Sequence, residues 1–209
     1  MKSKKDLFIN MCRGIYCFAD TVHICKRLLD GGAKVIQFRD KCADDNAFYH
    51  KAAEMLSLVR QYDDTIFIVN DRVDVALQIG ADGIHVGQKD EDFHEVLARL
   101  PADMIAGVSA NTVGQAIEAE RAGASYIGAG SVFPTPTKSD AIVIGIDTLS
   151  DIVKNVNIPV VAIGGITMQN IRQVVKTGAH YFAMISEVNN AEDISTRLKE
   201  LSEILIQGD

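Results

Sequence analysis

Asp71 and Asp90 set the chemistry to look for. Asp71 closely follows the apolar run 66–69 and Asp90 the run 83–86, and between them Val73, Val75, Ala76, Leu77 and Ile79 make a short apolar helix closed by Gly80. That is one strand–helix–strand unit, ended by a residue suited to a left-handed helix terminus. In a parallel pair both strands point the same way, so the two carboxylates leave at one edge, near enough to share a hard cation. Taken singly, each is equally well a turn or capping aspartate. Arg39 and Lys41, just after the run 35–38, add positive charge beside them. Carboxylates with cations are what a magnesium-bound diphosphate requires. Mg²⁺ takes one or two carboxylates and phosphate oxygens, and Arg and Lys neutralise the remaining charge.

Such groups need a frame, and the apolar periodicity supplies one. It predicts strands at 14–18, 35–38, 66–69, 83–86, 104–108, 126–129, 160–163 and 181–184. Helices are predicted up to 29 behind a Thr21 cap, then at 45–61, 73–79, 93–100, 112–122, 146–153, 168–176 and 193–205. Strict alternation predicts an α/β fold, a parallel (β/α)8 TIM barrel forming a single domain over 1–209, with a polar N-terminal arm at 1–12. An internal repeat agrees: Gly32-Ala33, Gly80-Ala81, Gly123-Ala124 and Gly178-Ala179 each end a helix ahead of an even-numbered strand. A period of two units fits a barrel whose alternate strands fill alternate interior layers.

Barrel active sites lie at strand C-termini. Around that rim the chain offers Gln37, Arg39 and Lys41, then Asn70 and Asp71, then Asp90, then Ser109. Thr135, Thr137 and Lys138 follow on a long loop at 130–145 that reads as a lid, then Gly164-Gly165, then Ile185 and Ser186. The Gly-Gly after the seventh strand resembles a phosphate cradle, since backbone N–H groups can approach an anion there, although a Gly-Gly alone is more often a turn. His85, inside a strand, reads as a packed or hydrogen-bonded side chain. His23, His50, His94 and His180 have no ligand spacing, Met55, Met168 and Met184 read as core, and Lys2, Lys4 and Lys5 as a solvated arm.

The bulk properties exclude several classes. A net charge of −7 disfavours nucleic acid and anionic membranes as partners, and no stretch has membrane-spanning length. The basic and then apolar start is cut by Asn10 and Arg13, too soon for a signal peptide. Cys12, Cys17, Cys25 and Cys42 show no metal-type spacing, so reduced thiols in a cytoplasmic protein are expected. Apolar helix faces permit a homo-oligomer without requiring one.

Six blocks together resemble the thiamine-phosphate synthase family: VIQFRDK (35–41), VNDRVDVALQIGADGIHVGQKD (69–90), GVSANT (107–112), YIGAGSVFPTPTK (126–138), VVAIGGI (160–166) and AMISEV (183–188). The resemblance implies condensation of hydroxymethylpyrimidine diphosphate with a thiazole phosphate, simple or carboxylated, with release of diphosphate. It further implies that Gln37, Phe38, Arg39, Asp40, Lys41 and Asn70 line the pyrimidine diphosphate, and that Asp71 and Asp90 hold Mg²⁺. Ser109 and Lys138 would contact the diphosphate, Thr135, Pro136 and Thr137 the thiazole, and Gly165, Ile185 and Ser186 the thiazole phosphate. Lys138, Ser109, Arg39 and Lys41 would act on the leaving group. Ser131, Asp40 and Asn111 depart from the family's usual Pro, Glu and His. Two alternatives remain: a thiazole tautomerase-like barrel, and a catalytically silent barrel that binds thiazole phosphate.

Overall fold

Eight parallel strands close in sequence order into a barrel: β1 (Gly14–Ala19), β2 (Val35–Phe38), β3 (Ile66–Asn70), β4 (Gly83–Val86), β5 (Ile105–Ala110), β6 (Tyr126–Ala129), β7 (Val160–Ile163) and β8 (Tyr181–Ala183). They come from a computed structural model that describes residues 3–137 and 141–207. The described helices are α1 (Lys4–Asn10), α2 (Val22–Asp30), α3 (Asp45–Val59), α4 (Val73–Ile79), α5 (Phe93–Arg99), α6 (Val113–Ala122), α7 (Gly145–Asn155), α8 (Ile171–Val175), α9 (Ile185–Asn189) and α10 (Ile194–Gln207). None is long and apolar enough to cross a membrane. The predicted alternation holds, with α1 and α9 as additions.

All four repeat glycines sit at positive φ, from 69° to 107°, where an L side chain is strained. Three of the helix ends share one hydrogen-bond pattern. Gly32, Gly80 and Gly123 donate to Leu29, Leu77 and Glu120, while Ala33, Ala81 and Ala124 donate to Leu28, Ala76 and Ala119, which satisfies carbonyls left open by the helix end. The alanines pack in the layer between strands and helices.

Strand alternation divides the core into two layers. Ile36, Phe38, Val69, Ile84, Val86, Val108, Ile127, Ala162 and Phe182 face the helices. Tyr16, Phe18, Val35, Ile66, Ile68, Ile105, Tyr126, Val161, Tyr181 and Ala183 fill the barrel. Below them α1 closes the bottom, so the expected solvated arm is a helix. Ser3 and Asp6 form its capping box, Phe8 is fully buried within 4.6 Å of the Tyr181 ring, and Tyr181 Oη donates to the Phe8 carbonyl at 2.6 Å. Lys4 and Lys5 donate to the Thr65 and Ala102 carbonyls at the N-terminal strand ends. Lys2 lies outside the described residues.

Two outcomes follow from this packing. Phe8→Ala empties the base of the barrel and should lower stability by about 3 kcal/mol in urea unfolding, the usual cost of removing a buried aromatic ring. A loss under about 1 kcal/mol would mean that α1 is only a cover. Cys17 and Cys25 are buried and burial pushes both thiols up to about 12, whereas Cys12 and Cys42 are exposed. Native protein should therefore react with a disulfide reagent at Cys12 and Cys42 alone, and at all four cysteines in denaturant.

Candidate active site

Asp71 and Asp90 meet at the C-terminal rim. β3 and β4 are hydrogen-bonded neighbours with Asn70 opposite His85, and the Asp71 N–H donates to the His85 carbonyl at 2.8 Å, which ties the residue after β3 to β4. Asp71 adopts φ 61°, a left-handed turn that few residues other than Gly, Asn and Asp tolerate. Asp90 reaches back to accept the Gly87 N–H at 2.7 Å. The two carboxyl groups then lie within hydrogen-bonding reach of each other, and Lys41 forms an ion pair with Asp71. Burial and the Asp90 carboxylate raise the Asp71 carboxyl above its usual range, against the pull of Lys41. Burial acts the same way on Asp90, but hydrogen bonds from Asp71 and the Gly87 N–H leave it lowered on balance. Asp71, partly buried, and Asp90, exposed at the rim, together form an oxygen pair suited to a dication. No cluster of three or more His, Cys, Asp or Glu side chains gathers among the described residues, so a metal here would draw its other ligands from water or a bound anion.

Gln37 and Asn70 point into the barrel mouth by strand alternation; both are buried, and the Asn70 amide has no side-chain partner among the described residues. The Arg39 guanidinium likewise makes no hydrogen bond or ion pair among them, which leaves a cation at the rim after β2, close enough to His85 to act on its imidazole. Phe38 points the other way: its ring is fully buried against Phe48, with centroids 4.3 Å apart, so only its backbone is near the rim. Asp40 is also turned aside. Its carboxylate accepts the Cys42 and Ala43 N–H groups and Lys51 Nζ at 2.7 Å, which folds the loop after β2 and holds its carboxyl below the usual range, chiefly through Lys51.

On the far side, Gly164 and Gly165 take φ 103° and 62°. A Cβ on Gly165 would lie 2.5 Å from the Pro134 carbonyl, and one on Gly164 would overlap Ser131, so these glycines let the loop after β6 press against that after β7. Val132 and Phe133 donate to Ile163 and Gly164, and Ser131 exchanges backbone bonds with Ile142 and Ile144. Thr135, Pro136 and Thr137 follow as a partly exposed turn. Lys138 and the neighbouring part of the expected lid lie outside the described residues. Met184 leaves β8 and Ile185 starts α9; the Ile185 side chain packs on the interior cluster, and Ser186 is exposed.

Between the two halves runs a polar chain that rim position alone does not suggest. Gln37 Nε2 donates to Tyr16 Oη at 2.9 Å, Tyr16 and Tyr126 share a hydroxyl bond of 2.7 Å, Tyr126 Oη lies 2.9 Å from His85 Nδ1, and His85 Nε2 lies 3.0 Å from Ser109 Oγ. Gln88 Nε2 donates to the Ser109 carbonyl at 2.6 Å. His85 is therefore hydrogen-bonded, as expected, and joins two candidate site residues. Burial, and to a lesser degree Arg39, pushes its imidazole down to about 4, so it is neutral at pH 7. Burial also raises both tyrosines, which keep their protons. The signal for Tyr16, Tyr126 and His85 was the period of two: each falls on the inward face with Gln37 and Ser109.

The chain matches the family model described as thiamine monophosphate synthase over residues 10–188. It is 46% identical over 184 residues to the thiamine-phosphate synthase of Pyrococcus furiosus, covering 88% of each chain. It is 42% identical over 203 residues to that of Methanocella arvoryzae, covering 97% of this chain and 95% of that one. A solved thiamine phosphate pyrophosphorylase from Pyrococcus furiosus superposes with a TM-score of 0.87 at 42% identity, covering 95% of this chain and 98% of that chain. Matches of this extent reach every rim segment described above, and the chain belongs to the thiamine monophosphate synthase family of transferases.

Proposed function

We propose that the barrel joins hydroxymethylpyrimidine diphosphate to a thiazole phosphate, giving thiamine phosphate and diphosphate. The observation that carries this reading is the Asp71–Asp90 carboxyl pair with Lys41 paired to Asp71 and Arg39 on the same side of the rim, facing the glycine-lined turn at 164–165 across the barrel mouth. The donor set fits Mg²⁺, which when bound at Asp71 and Asp90 would offset the charge of the diphosphate oxygens.

The remaining work falls to the chain itself. The bond from the pyrimidine methylene carbon to the diphosphate oxygen breaks, the electron pair leaves with the diphosphate, and the thiazole nitrogen forms the new bond to that carbon. No side-chain nucleophile is needed, because the electron-rich aminopyrimidine supports positive charge at the methylene. Arg39 and Lys41 stabilise the charge that develops on the leaving group, and Ser109 supplies a polar contact to it. Lys41, half exposed and paired with Asp71 at the rim, can offer its ammonium group to a phosphate oxygen bound there. Gln37 and Asn70 present amides to the pyrimidine, while Gly165, Ile185 and Ser186 hold the thiazole phosphate. Loss of Lys138 is expected to lower turnover far more than the melting temperature.

The test is an end-point assay. Protein is incubated with both substrates and Mg²⁺, and the product is oxidised to a fluorescent thiochrome. Fluorescence that requires metal and vanishes with EDTA is expected. Folded protein giving no product under any condition would overturn the synthase reading, and conversion of the thiazole phosphate alone would point to a tautomerase.

A further inference from the structure

We propose that Gln37, Tyr16, Tyr126 and His85 form a one-way hydrogen-bond chain that holds Ser109 with its hydroxyl proton turned toward the rim, as a donor to the departing diphosphate. The role given to Ser109 rests on the synthase reading; the direction of the chain does not.

Direction follows from counting protons. Gln37 Nε2 can only donate, so Tyr16 Oη accepts from it at 2.9 Å. Tyr16 has one proton of its own, and the only other partner of its oxygen among the described residues is Tyr126, at 2.7 Å. Were Tyr126 the donor there, the Tyr16 proton would have no acceptor among those residues, in a side chain only 1% exposed. Tyr16 therefore donates to Tyr126, and Tyr126 spends its proton on His85 Nδ1, 2.9 Å away. A neutral imidazole that accepts at Nδ1 carries its proton on Nε2. Nε2 donates to Ser109 Oγ at 3.0 Å, and the serine proton is left for the rim. Reversal would need Gln37 to turn its carbonyl to Tyr16, so the Gln37 amide sets the direction for a serine three strands away in sequence. Gly107 and Gly128 leave room for the chain: a Cβ at Gly107 would overlap the Tyr126 ring, and one at Gly128 would lie 2.9 Å from His85 Cε1. Tyr16, Tyr126 and His85 are thus positioning residues that act through Ser109.

The direct test is the His85 tautomer, read by long-range ¹H–¹⁵N correlation on histidine-labelled, metal-free full-length protein. The Nε2–H form is expected. Tyr126→Phe should lose that preference and lower kcat about tenfold with KM changed less than about twofold, the size of effect expected of a residue behind a contact group. Tyr181→Phe removes another inward hydroxyl, one that among the described residues bonds only the Phe8 carbonyl, and should change neither. Where Tyr126→Phe fails to fold, Gln37→Glu gives Tyr16 an acceptor in place of a donor, which lets the chain reverse, and should also abolish the preference. An Nδ1–H tautomer in the parent protein, or an Nε2–H tautomer unmoved by Tyr126→Phe or Gln37→Glu, overturns the proposal. An Nε2–H tautomer in a protein with no synthase activity supports the chain's direction and overturns only the reaction.

Discussion

Asp71→Asn should lower turnover at saturating Mg²⁺ by about 100-fold or more, while the metal-free protein melts at or above the parent temperature. Asparagine is the cleanest probe because the backbone at position 71 is left-handed, with φ 61°, and Asn accepts that conformation at least as readily as Asp. Alanine there would add strain of about 1–2 kcal/mol and confuse lost chemistry with lost fold. The fold should tolerate the change. The Asp71 side chain is only 20% exposed and its carboxyl is raised by burial and by Asp90, so removing its charge relieves a penalty. Lys41 loses its partner but is 51% exposed and rehydrates. What is lost is one of two carboxylates able to face a dication, and a 100-fold drop corresponds to about 2.7 kcal/mol of transition-state stabilisation. The measurement is steady-state turnover across a Mg²⁺ titration beside a thermal melt. Turnover within tenfold of the parent would remove Asp71 from the metal site.

The second large effect concerns stability. Gly107→Ala should cost about 4 kcal/mol, seen as a fall of roughly 10 °C in melting temperature. Gly107 and Tyr126 are register partners on β5 and β6 and both face inward, so a methyl group at 107 enters the space of the Tyr126 ring. That ring cannot swing clear. Its hydroxyl is tied to Tyr16 at 2.7 Å and to His85 at 2.9 Å, and its ring packs at a tilt against Phe8 with centroids 4.9 Å apart. Overpacking of about 1–3 kcal/mol adds to about 1 kcal/mol for each of two strained hydrogen bonds. With Tyr126→Leu in the same chain the two losses should be less than additive, because the smaller side chain leaves room for the methyl group. A loss under about 1 kcal/mol for Gly107→Ala alone would show that the barrel floor yields.

The difference between Asp71 and Phe38 shows how the sequence can place a residue without aiming its side chain. Both follow or end apolar runs and both were placed at the rim. Asp71 lies there because the chain leaves the sheet at a residue whose own backbone turns. Phe38 is the last residue of β2, and one step of strand alternation turns it outward onto Phe48 while Gln37 faces in. Asp40 is a similar case, a carboxylate used to fold its own loop.

The sequence by itself determined the barrel. Its strands and helices are local patterns, its four Gly-Ala pairs are helix ends that hold wherever they occur, and its polar residues cluster at strand C-termini because apolar runs must stop where the strands leave the core. Only the tertiary structure decided what those residues meet. The bond between Asp71 and His85, the seating of Phe8 beneath Tyr181, and the chain from Gln37 to Ser109 join positions far apart in sequence, and such contacts depend on strand register and closure. Periodicity is a property of one segment, whereas a site is made where several segments converge.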